Sequence, residues 1–258
     1  MKLELAAREF FRNTIRSKIN NEIVLQRLKM IWYVCGYFPI LFVKSISIFR
    51  RLSLIVKVLK IDWNILHSHK PCEITKVFTA LCLRPAIPGE VMIEAGCWKG
   101  GSSAKFSLLC KLLGYRLLIY DSFQGVEPLS RRDMEGEYDY SGEYEASLRE
   151  VTKTIHSFGA VEVCQITEGW FSDTIASDPV QSPVRLVFID CDLAKGTLEV
   201  LQGATPNLVD GAVIITQDYH IKSVRKLLHS SSTWSNLQMP FPNIRKECGN
   251  LALLSWES

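Results

Sequence analysis

Five acidic residues of this chain follow apolar runs, at positions where parallel strands would end. Carboxylates at such ends meet along one edge of a sheet, which is where ligands bind in open α/β folds. The residues are Glu94, Asp121, Asp190, Asp192 and Asp218, with the amide of Gln217 beside the last. Their positions therefore predict one shared site at that edge.

Asp190 and the pair Gln217-Asp218 carry the oxygen ligands that a hard divalent cation prefers. Asp190 ends the apolar run 184–189, and Gln217 and Asp218 follow the run 212–216. Two carboxylates and an amide oxygen would hold Mg²⁺, with waters in its other positions. The competing interpretation is that acids at strand ends only cap neighbouring helices.

A glycine-rich turn follows the first apolar run and predicts a nucleotide-type cofactor site. Residues 91–95 have the pattern of a buried strand, and residues 96–103 that of a turn and a helix start capped by Ser102 or Ser103. Asp121 lies about 20 residues beyond the glycine pair, where a ribose-binding carboxylate is expected. The alternative is an ordinary loop, because glycines also mark turns without ligands.

Two further residues are candidates, each with a structural alternative. Trp170 follows a predicted strand and either stacks on a flat heterocycle or packs in the core. His220 either assists proton transfer or occupies a surface helix position. The other histidines show no ligand spacing; they are His67, His69, His156 and His229.

Residues 126–150 form a long polar insertion after the second strand. They include eight acids, three arginines and three tyrosines. An insertion at the ligand end of a sheet is a candidate lid, and the alternative is a solvated loop with no role.

These candidates require a sheet whose strands end on one side. The predicted parallel strands lie at 91–95, 117–121, 161–166, 184–192 and 212–220, and a hairpin at 241–245 and 251–256. The expected fold is α/β, with a three-layer, doubly wound, mostly parallel seven-stranded sheet, a C-terminal antiparallel hairpin and a helical N-terminal arm. Residues 65–258 would form this domain.

Residues 1–64 form a basic, apolar arm. Residues 1–60 hold 12 Lys/Arg against 3 Asp/Glu, a net charge of +9, so residues 61–258 carry −6. The uncharged run 30–43 contains Pro39 and is shorter than the about 20 residues that a membrane span needs. Residues 30–60 would therefore either contact an anionic membrane surface or pack on the domain or a second subunit, and we expect a homo-oligomer.

The composition excludes other classes of protein. A chain of 258 residues with 47% hydrophobic content suits one α/β domain with an attached segment. The acidic balance of residues 61–258 argues against binding to nucleic acid. The eight cysteines are scattered without a CxxC pair, which argues against a zinc site or disulfide framework. We read them as mostly buried, and we expect a cytoplasmic protein, with a peripheral membrane location if the arm binds lipid.

Five motifs, in this order, resemble those of the macrocin-type sugar O-methyltransferases, which are class I S-adenosylmethionine enzymes. The motifs are Glu94-Ala95-Gly96-Cys97-Trp98-Lys99-Gly100-Gly101-Ser102-Ser103, Asp121-Ser122-Phe123-Gln124-Gly125, Gly169-Trp170-Phe171-Ser172-Asp173-Thr174, Asp190-Cys191-Asp192-Leu193 and Gln217-Asp218-Tyr219. The resemblance covers about residues 70–225 and does not extend to the arm.

The resemblance implies a role for each motif. Asp121 would bind the ribose hydroxyls with Ser122 beside them, and Asp192 would act as the general base. Asp190, Gln217 and Asp218 would hold Mg²⁺. The methionine portion of S-adenosylmethionine would lie on Glu94, Ala95, Gly96, Gly100, Gly101 and Ser102.

Two departures from the family pattern bear on function. Gln217 stands where the family usually has an acid, which weakens the implied metal site. Residues 193–197 replace the family's Leu-Tyr-Glu-Ser-Thr, and Lys195 there would be an anion contact or a base of depressed pKa.

The leading hypothesis is an O-methyltransferase that acts on a hydroxyl of a sugar or glycosylated compound. The first alternative is a degenerate methyltransferase fold that binds the cofactor without catalysis in a membrane-associated glycan-assembly complex. The second is an NAD(P)-dependent oxidoreductase, against which the glycine turn argues because it lacks the G-x-G-x-x-G pattern.

Overall fold

Seven strands form one sheet in the computed structural model, which describes residues 31–129 and 139–256. The strands are β1 (Val91–Ala95), β2 (Arg116–Asp121), β3 (Cys164–Glu168), β4 (Val184–Ile189), β5 (Leu208–Thr216), β6 (Asn243–Lys246) and β7 (Ala252–Ser255). Their order is β3-β2-β1-β4-β5-β7-β6. Only the β5–β7 and β6–β7 pairs are antiparallel, so the predicted mostly parallel sheet with a C-terminal hairpin is confirmed.

Helices cover both faces of the sheet, as expected for a doubly wound fold. They are α1 (Ile48–Asn64), α2 (Pro71–Leu81), α3 (Gly101–Leu113), α4 (Leu148–Phe158), α5 (Ala194–Ala204), α6 (Lys222–Leu228) and α7 (Ser231–Asn236). Residues 31–37 are also helical and lead into a 3₁₀ turn, Phe38–Phe42.

Alternate residues of the central strands supply two separate cores. Met92 joins the core formed with α1, α2, α3 and α4, whereas its neighbour Ile93 joins the core formed with α5, α6 and α7. Successive side chains of a strand point to opposite faces, and burial on both faces explains the uninterrupted apolar runs. The result is the three-layer arrangement expected from the sequence.

Several local predictions are wrong. Residues Val161–Val163 form a 3₁₀ turn, so β3 begins only at Cys164. The N-cap of α3 is Gly100 in a left-handed conformation, and the predicted caps Ser102 and Ser103 lie buried inside the helix. All eight cysteines are free, as predicted, but only Cys97 and Cys110 are fully buried.

Helix α1, from the N-terminal arm, packs directly on the sheet domain. Asp62 forms an ion pair with Lys105 of α3, and its Oδ1 lies 2.8 Å from Nε2 of His67. Burial lowers the pKa of Lys105, and the charge of Asp62 opposes that effect. An isolated buried cation is very unfavourable, so α1 supplies the charge that allows Lys105 to be buried in α3.

Within the ranges 31–129 and 139–256, no helix combines the length and apolar character needed to cross a membrane. Residues 1–30 of the arm and residues 130–138 of the insertion lie outside the described residues.

Candidate functional site

A cavity of about 240 Å³ opens at the carboxyl ends of the parallel strands. Its walls come from the loops after β1, β2, β3, β4 and β5, and from residues 66–69 between α1 and α2. This position is where the strand order reverses between β1 and β4, the usual ligand crevice of an open α/β sheet. The loops that follow the parallel strands therefore meet at one edge of the sheet, as the sequence predicts.

The turn between β1 and α3 passes very close to the end of β4. Gly96 has φ +86°, and a Cβ atom there would lie 1.8 Å from the carbonyl oxygen of Asp190. Only glycine fits such an approach, because any side chain would overlap the neighbouring backbone. The glycine predicted from sequence thus brings the cofactor turn and the acidic strand end together.

Asp121 holds this turn in place through its carboxylate. Its Oδ2 accepts hydrogen bonds from the backbone N–H groups of Cys97, at 2.7 Å, and Trp98, at 3.3 Å. Its Oδ1 accepts a third bond, from Phe123 at 2.8 Å. Asp121, the predicted ribose-binding residue, therefore also orders the loops that follow β1 and β2.

Glu94 is completely buried beneath the same turn. Burial raises the pKa of its carboxyl to about 7, although the nearby hydroxyls of Ser102 and Ser103 and the charge of His69 oppose the shift. Within the described ranges, neither carboxylate oxygen has a hydrogen-bond partner of normal geometry. A buried carboxylate without partners is costly, which favours its protonated form or a cationic ligand nearby.

The candidate cofactor residues divide by access to the cavity. Those that line it are Gly96, Gly101, Ser102, Asp121, Ser122 and Trp170. Glu94, Ala95 and Gly100 lie outside the lining, the first two fully buried in β1. Ser122 has a local role as well, since its hydroxyl donates to the carbonyl oxygen of Gly125 and accepts from the N–H of Gln124.

Three acids meet at the ends of β4 and β5. One carboxylate oxygen from each of Asp190, Asp192 and Asp218 lies within 4.8 Å of the others. Oδ2 of Asp218 accepts backbone N–H groups of Cys191, at 2.9 Å, and Asp192, at 3.0 Å, while Oδ1 has no partner among the residues described. Carboxylates this close together are the donor set of a hard divalent cation. Asp192, the predicted base, belongs to this cluster.

The electrostatics of the cluster are unfavourable without a counter-charge. Burial, with the charges of Asp190 and Asp192 added to it, raises the pKa of Asp218 well above its usual range. Burial and the charge of Asp190 raise the pKa of Asp192 to about 7. Asp192 also has φ +59°, a left-handed backbone conformation that is uncommon for non-glycine residues.

Sequence reasoning missed His69. Its Nε2 lies 3.0 Å from Oδ2 of Asp190, its ring centroid lies 5.5 Å from that of Phe188, and only 6% of the residue is exposed. Burial by itself would lower the pKa of His69, but the contact with Asp190 and its charge outweigh that effect and raise it. The linker before α2 therefore brings a histidine to the acidic cluster, and no spacing in the sequence marks it.

Three other predicted residues have definite places. Gln217 and His220 both line the cavity, and His220 is exposed in a 3₁₀ turn. Lys195 pairs with Glu127 at 2.5 Å, which raises its pKa. The suggestion that Lys195 is a base of depressed pKa is therefore wrong, and it instead ties α5 to the start of the polar insertion.

The described ends of that insertion lie over the cavity. Tyr140, Tyr144, Val126 and Glu127 line it. The rings of Tyr144 and Trp98 meet edge to face with centroids 5.4 Å apart. These aromatic rings add apolar surface to a cavity that is also lined by Asp190 and Asp192.

The residues around the cavity fit both groups predicted from the sequence, a nucleoside-type cofactor and a divalent cation. A glycine turn open to the cavity, an acid at the end of β2 and the N-terminus of α3 suit a nucleoside with a charged tail. The unpartnered oxygen of Asp218 and the clustered carboxylates suit a divalent cation.

Known proteins resemble this chain in sequence and in fold. A family model described as macrocin-O-methyltransferase (TylF) matches residues 74–250. The 8-demethyl-8-(2,3-dimethoxy-alpha-L-rhamnosyl)-tetracenomycin-C 4'-O-methyltransferase of Streptomyces olivaceus is 27% identical over 157 residues, 57% of this chain and 59% of that protein. The mycinamicin III 3''-O-methyltransferase of Micromonospora griseorubida is 29% identical over 158 residues, 57% of this chain and 61% of that protein. The match thus spans about three fifths of each relative.

Two solved structures show the same fold. The O-methyltransferase NovP superposes with a TM-score of 0.63 and 15% identity, covering 80% of this chain and 98% of that one. The calicheamicin methyltransferase CalS11 superposes with a TM-score of 0.50 and 19% identity, covering 88% of this chain and 92% of that one.

Proposed function

The chain belongs to the macrocin-O-methyltransferase (TylF) family, and from this we propose that it is an S-adenosylmethionine-dependent O-methyltransferase whose acceptor is a hydroxyl of a sugar or glycosylated small molecule. One observation carries the proposal. The family-matched residues bring a glycine-rich turn and the carboxylates of Asp190 and Asp192 to one cavity. The buried carboxylate of Asp218 has an oxygen within 4.8 Å of theirs. Both curated relatives are named as O-methyltransferases of glycosylated compounds.

The cofactor would lie on the β1 and β2 side of the cavity. Gly96, Gly101 and Ser102 would contact its methionine portion. Asp121 would accept a hydrogen bond from a ribose hydroxyl, because three backbone bonds leave about one of the four lone-pair sites of its carboxylate. Bound S-adenosylmethionine supplies an electrophilic methyl group. Trp170 lines the cavity and would stack on the adenine.

The acceptor would lie on the β4 and β5 side. Asp190, Gln217 and Asp218 would hold Mg²⁺, whose contribution is to lower the pKa of a nearby hydroxyl. Asp192 would take the hydroxyl proton on its carboxylate, and His220 would assist that transfer. Holding the acceptor oxygen in line with the methyl group is the remaining task of the cavity walls, with the insertion as a lid.

Two measurements test the proposal. Calorimetric titration with S-adenosylhomocysteine should give saturable binding to wild type and to Asp192→Asn. Incubation with S-adenosylmethionine, Mg²⁺ and a panel of nucleotide sugars and glycosides should yield a methylated product, detected by mass, with wild type only. Absence of S-adenosylhomocysteine binding would contradict the proposal.

A second candidate function is a cofactor-binding protein without catalysis. Gln217 favours it, because an amide replaces the acid that the family usually has and so removes one negative charge from the proposed metal site. This alternative requires S-adenosylhomocysteine binding with no turnover on any acceptor of the panel. Homo-oligomerisation remains a prediction, which sedimentation velocity would test.

A further inference from the structure

Helix α1 has two apolar faces on opposite sides. One face packs into the domain through Leu54, Val58 and Ile61. The other carries exposed side chains at intervals of three, four and seven residues, so they form one stripe. They are Phe49, Leu52, Val56 and Trp63, with 81%, 48%, 66% and 61% of their surface exposed. We call these four residues the α1 stripe.

Exposed apolar residues continue on both sides of α1. Before it, the rings of Phe38 and Phe42 contact each other with centroids 5.3 Å apart, and both are exposed. After it, Leu66 is 63% exposed and also lines the cavity. Single exposed apolar side chains are ordinary, but a continuous helical stripe of this kind marks a contact surface.

Positive charge runs beside the α1 stripe. Residues 31–60 include five Lys/Arg and no Asp/Glu. Arg50, Lys57 and Lys60 are exposed and recur at intervals of seven and three, so they form a row along one side of the helix. Arg50 and Lys57 also line a shallow groove of about 390 Å³ between α1 and α3, large enough for a phosphate group.

We propose that the α1 stripe binds the surface of an anionic phospholipid bilayer, with its apolar side chains inserted and its basic row on the lipid phosphates. The charge pattern selects this occupant. Pairing with a second copy through the stripe would bring basic rows together, since residues 31–60 contain no acid to oppose them. An anionic bilayer satisfies both the apolar and the basic side chains.

The geometry also fits a helix that lies in the plane of the interface. α1 has 17 residues, and its opposite face is buried in the domain, so it is too short and too firmly packed to span. Trp63 near its end has the amphipathic ring that favours the headgroup level. Because Leu66 belongs to the cavity wall, this orientation places the cavity close to the bilayer surface.

The test is co-sedimentation of the full chain with two kinds of vesicle, one of mixed phosphatidylglycerol and phosphatidylcholine, the other of phosphatidylcholine alone. Wild type should bind the anionic vesicles, and binding should be at least about tenfold weaker to neutral ones. Phe49→Ser combined with Val56→Ser should weaken anionic binding by about tenfold or more, because two inserted side chains are lost. The matched control is Leu83→Ser with Phe241→Ser, two exposed apolar residues elsewhere, which should bind like wild type.

A second readout locates the contact. Brominated lipids should quench tryptophan fluorescence in wild type, and Trp63→Phe should remove much of that quenching while binding persists. Two results would overturn the proposal. The first is equal vesicle binding by wild type and the Phe49, Val56 variant when circular dichroism shows both to be folded. The second is absence of binding of wild type to anionic vesicles; a dimer that the same variant abolishes would then assign the α1 stripe to self-association. Neither readout depends on methyl transfer, so the proposed function stands or fails separately.

Discussion

The two sides of the cavity differ in how their carboxylates are satisfied. On the β1 and β2 side, Asp121 accepts three backbone hydrogen bonds and fixes two loops. On the β4 and β5 side, Asp190, Asp192 and Asp218 crowd together, and one oxygen of Asp218 has no partner among the described residues. Backbone bonds therefore preorganise Asp121. On the second side Asp218 accepts two backbone N–H groups and Asp190 contacts His69, but the three carboxylates still repel one another until a proton or cation arrives.

The largest expected effect comes from removing the proposed base on the crowded side. Asp192→Asn should lower the rate of methyl transfer by about 100- to 10,000-fold, because an amide cannot take the hydroxyl proton. Binding of S-adenosylhomocysteine should stay within about twofold, since the opposite side of the cavity holds the cofactor. Steady-state kinetics and calorimetry measure the two quantities.

The matched control is Asp210→Asn, an exposed acid near the beginning of β5 and far from its carboxyl end. Asp210→Asn should leave the rate of methyl transfer and the affinity for S-adenosylhomocysteine unchanged. A loss of cofactor binding in Asp192→Asn would mean that the two sides do not act separately.

The second effect concerns stability and Glu94, which is buried in β1. Burial raises its pKa from an ordinary 4.5 to about 7, so the folded chain retains this proton at pH values where the unfolded chain has lost it. The free energy of unfolding should therefore fall as pH rises from about 4.5 to 7, by on the order of 3 kcal/mol from this group. Glu94→Gln should remove that part of the pH dependence.

Urea unfolding at pH 5 and pH 8 without cofactor measures the effect. The matched control is Glu162→Gln at an exposed acid, which should show the same change in the free energy of unfolding between pH 5 and pH 8 as wild type. If Glu94→Gln left the pH dependence of the free energy of unfolding unchanged, Glu94 would have a stabilising partner in the folded protein.

The third effect concerns the orientation of Asp190. His69→Ala should weaken Mg²⁺ binding by about 10- to 100-fold, because ligands held by a neighbouring hydrogen bond bind metal more tightly. His69→Gln should restore part of the affinity, since its amide can donate to Asp190. Calorimetric titration with Mg²⁺ in the presence of S-adenosylhomocysteine measures this, and His156→Ala is the exposed control.

The smallest effect restores the family pattern at Gln217. Gln217→Asp should tighten Mg²⁺ binding by roughly tenfold, because a third carboxylate replaces a neutral ligand. Methyl transfer should rise with it at limiting Mg²⁺. If Mg²⁺ affinity does not change, Gln217 does not face the cation.

The strands and the glycine turn were predictable because their signals are local. Apolar runs ending in Glu94, Asp121 and Asp190 predict strands that end at one edge, and β1 is observed as predicted. Where the local signal for a strand is weak, as at Val161–Val163, the predicted start of the strand was wrong by a few residues. Ser102 and Ser103 failed as caps because the helix begins earlier, after Gly100, which takes a left-handed conformation two residues before Ser102.

The sequence by itself determined the sheet, the cofactor turn and the candidate acids, because strand periodicity and turn chemistry depend on residues close together in the chain. Only the tertiary structure decided that His69 meets Asp190, that Asp62 of α1 neutralises Lys105, and that Glu94 is wholly buried. These contacts join segments distant in sequence, and they depend on how helices pack over the sheet. Packing also sets the local burial that shifts each pKa, which no spacing of residues encodes.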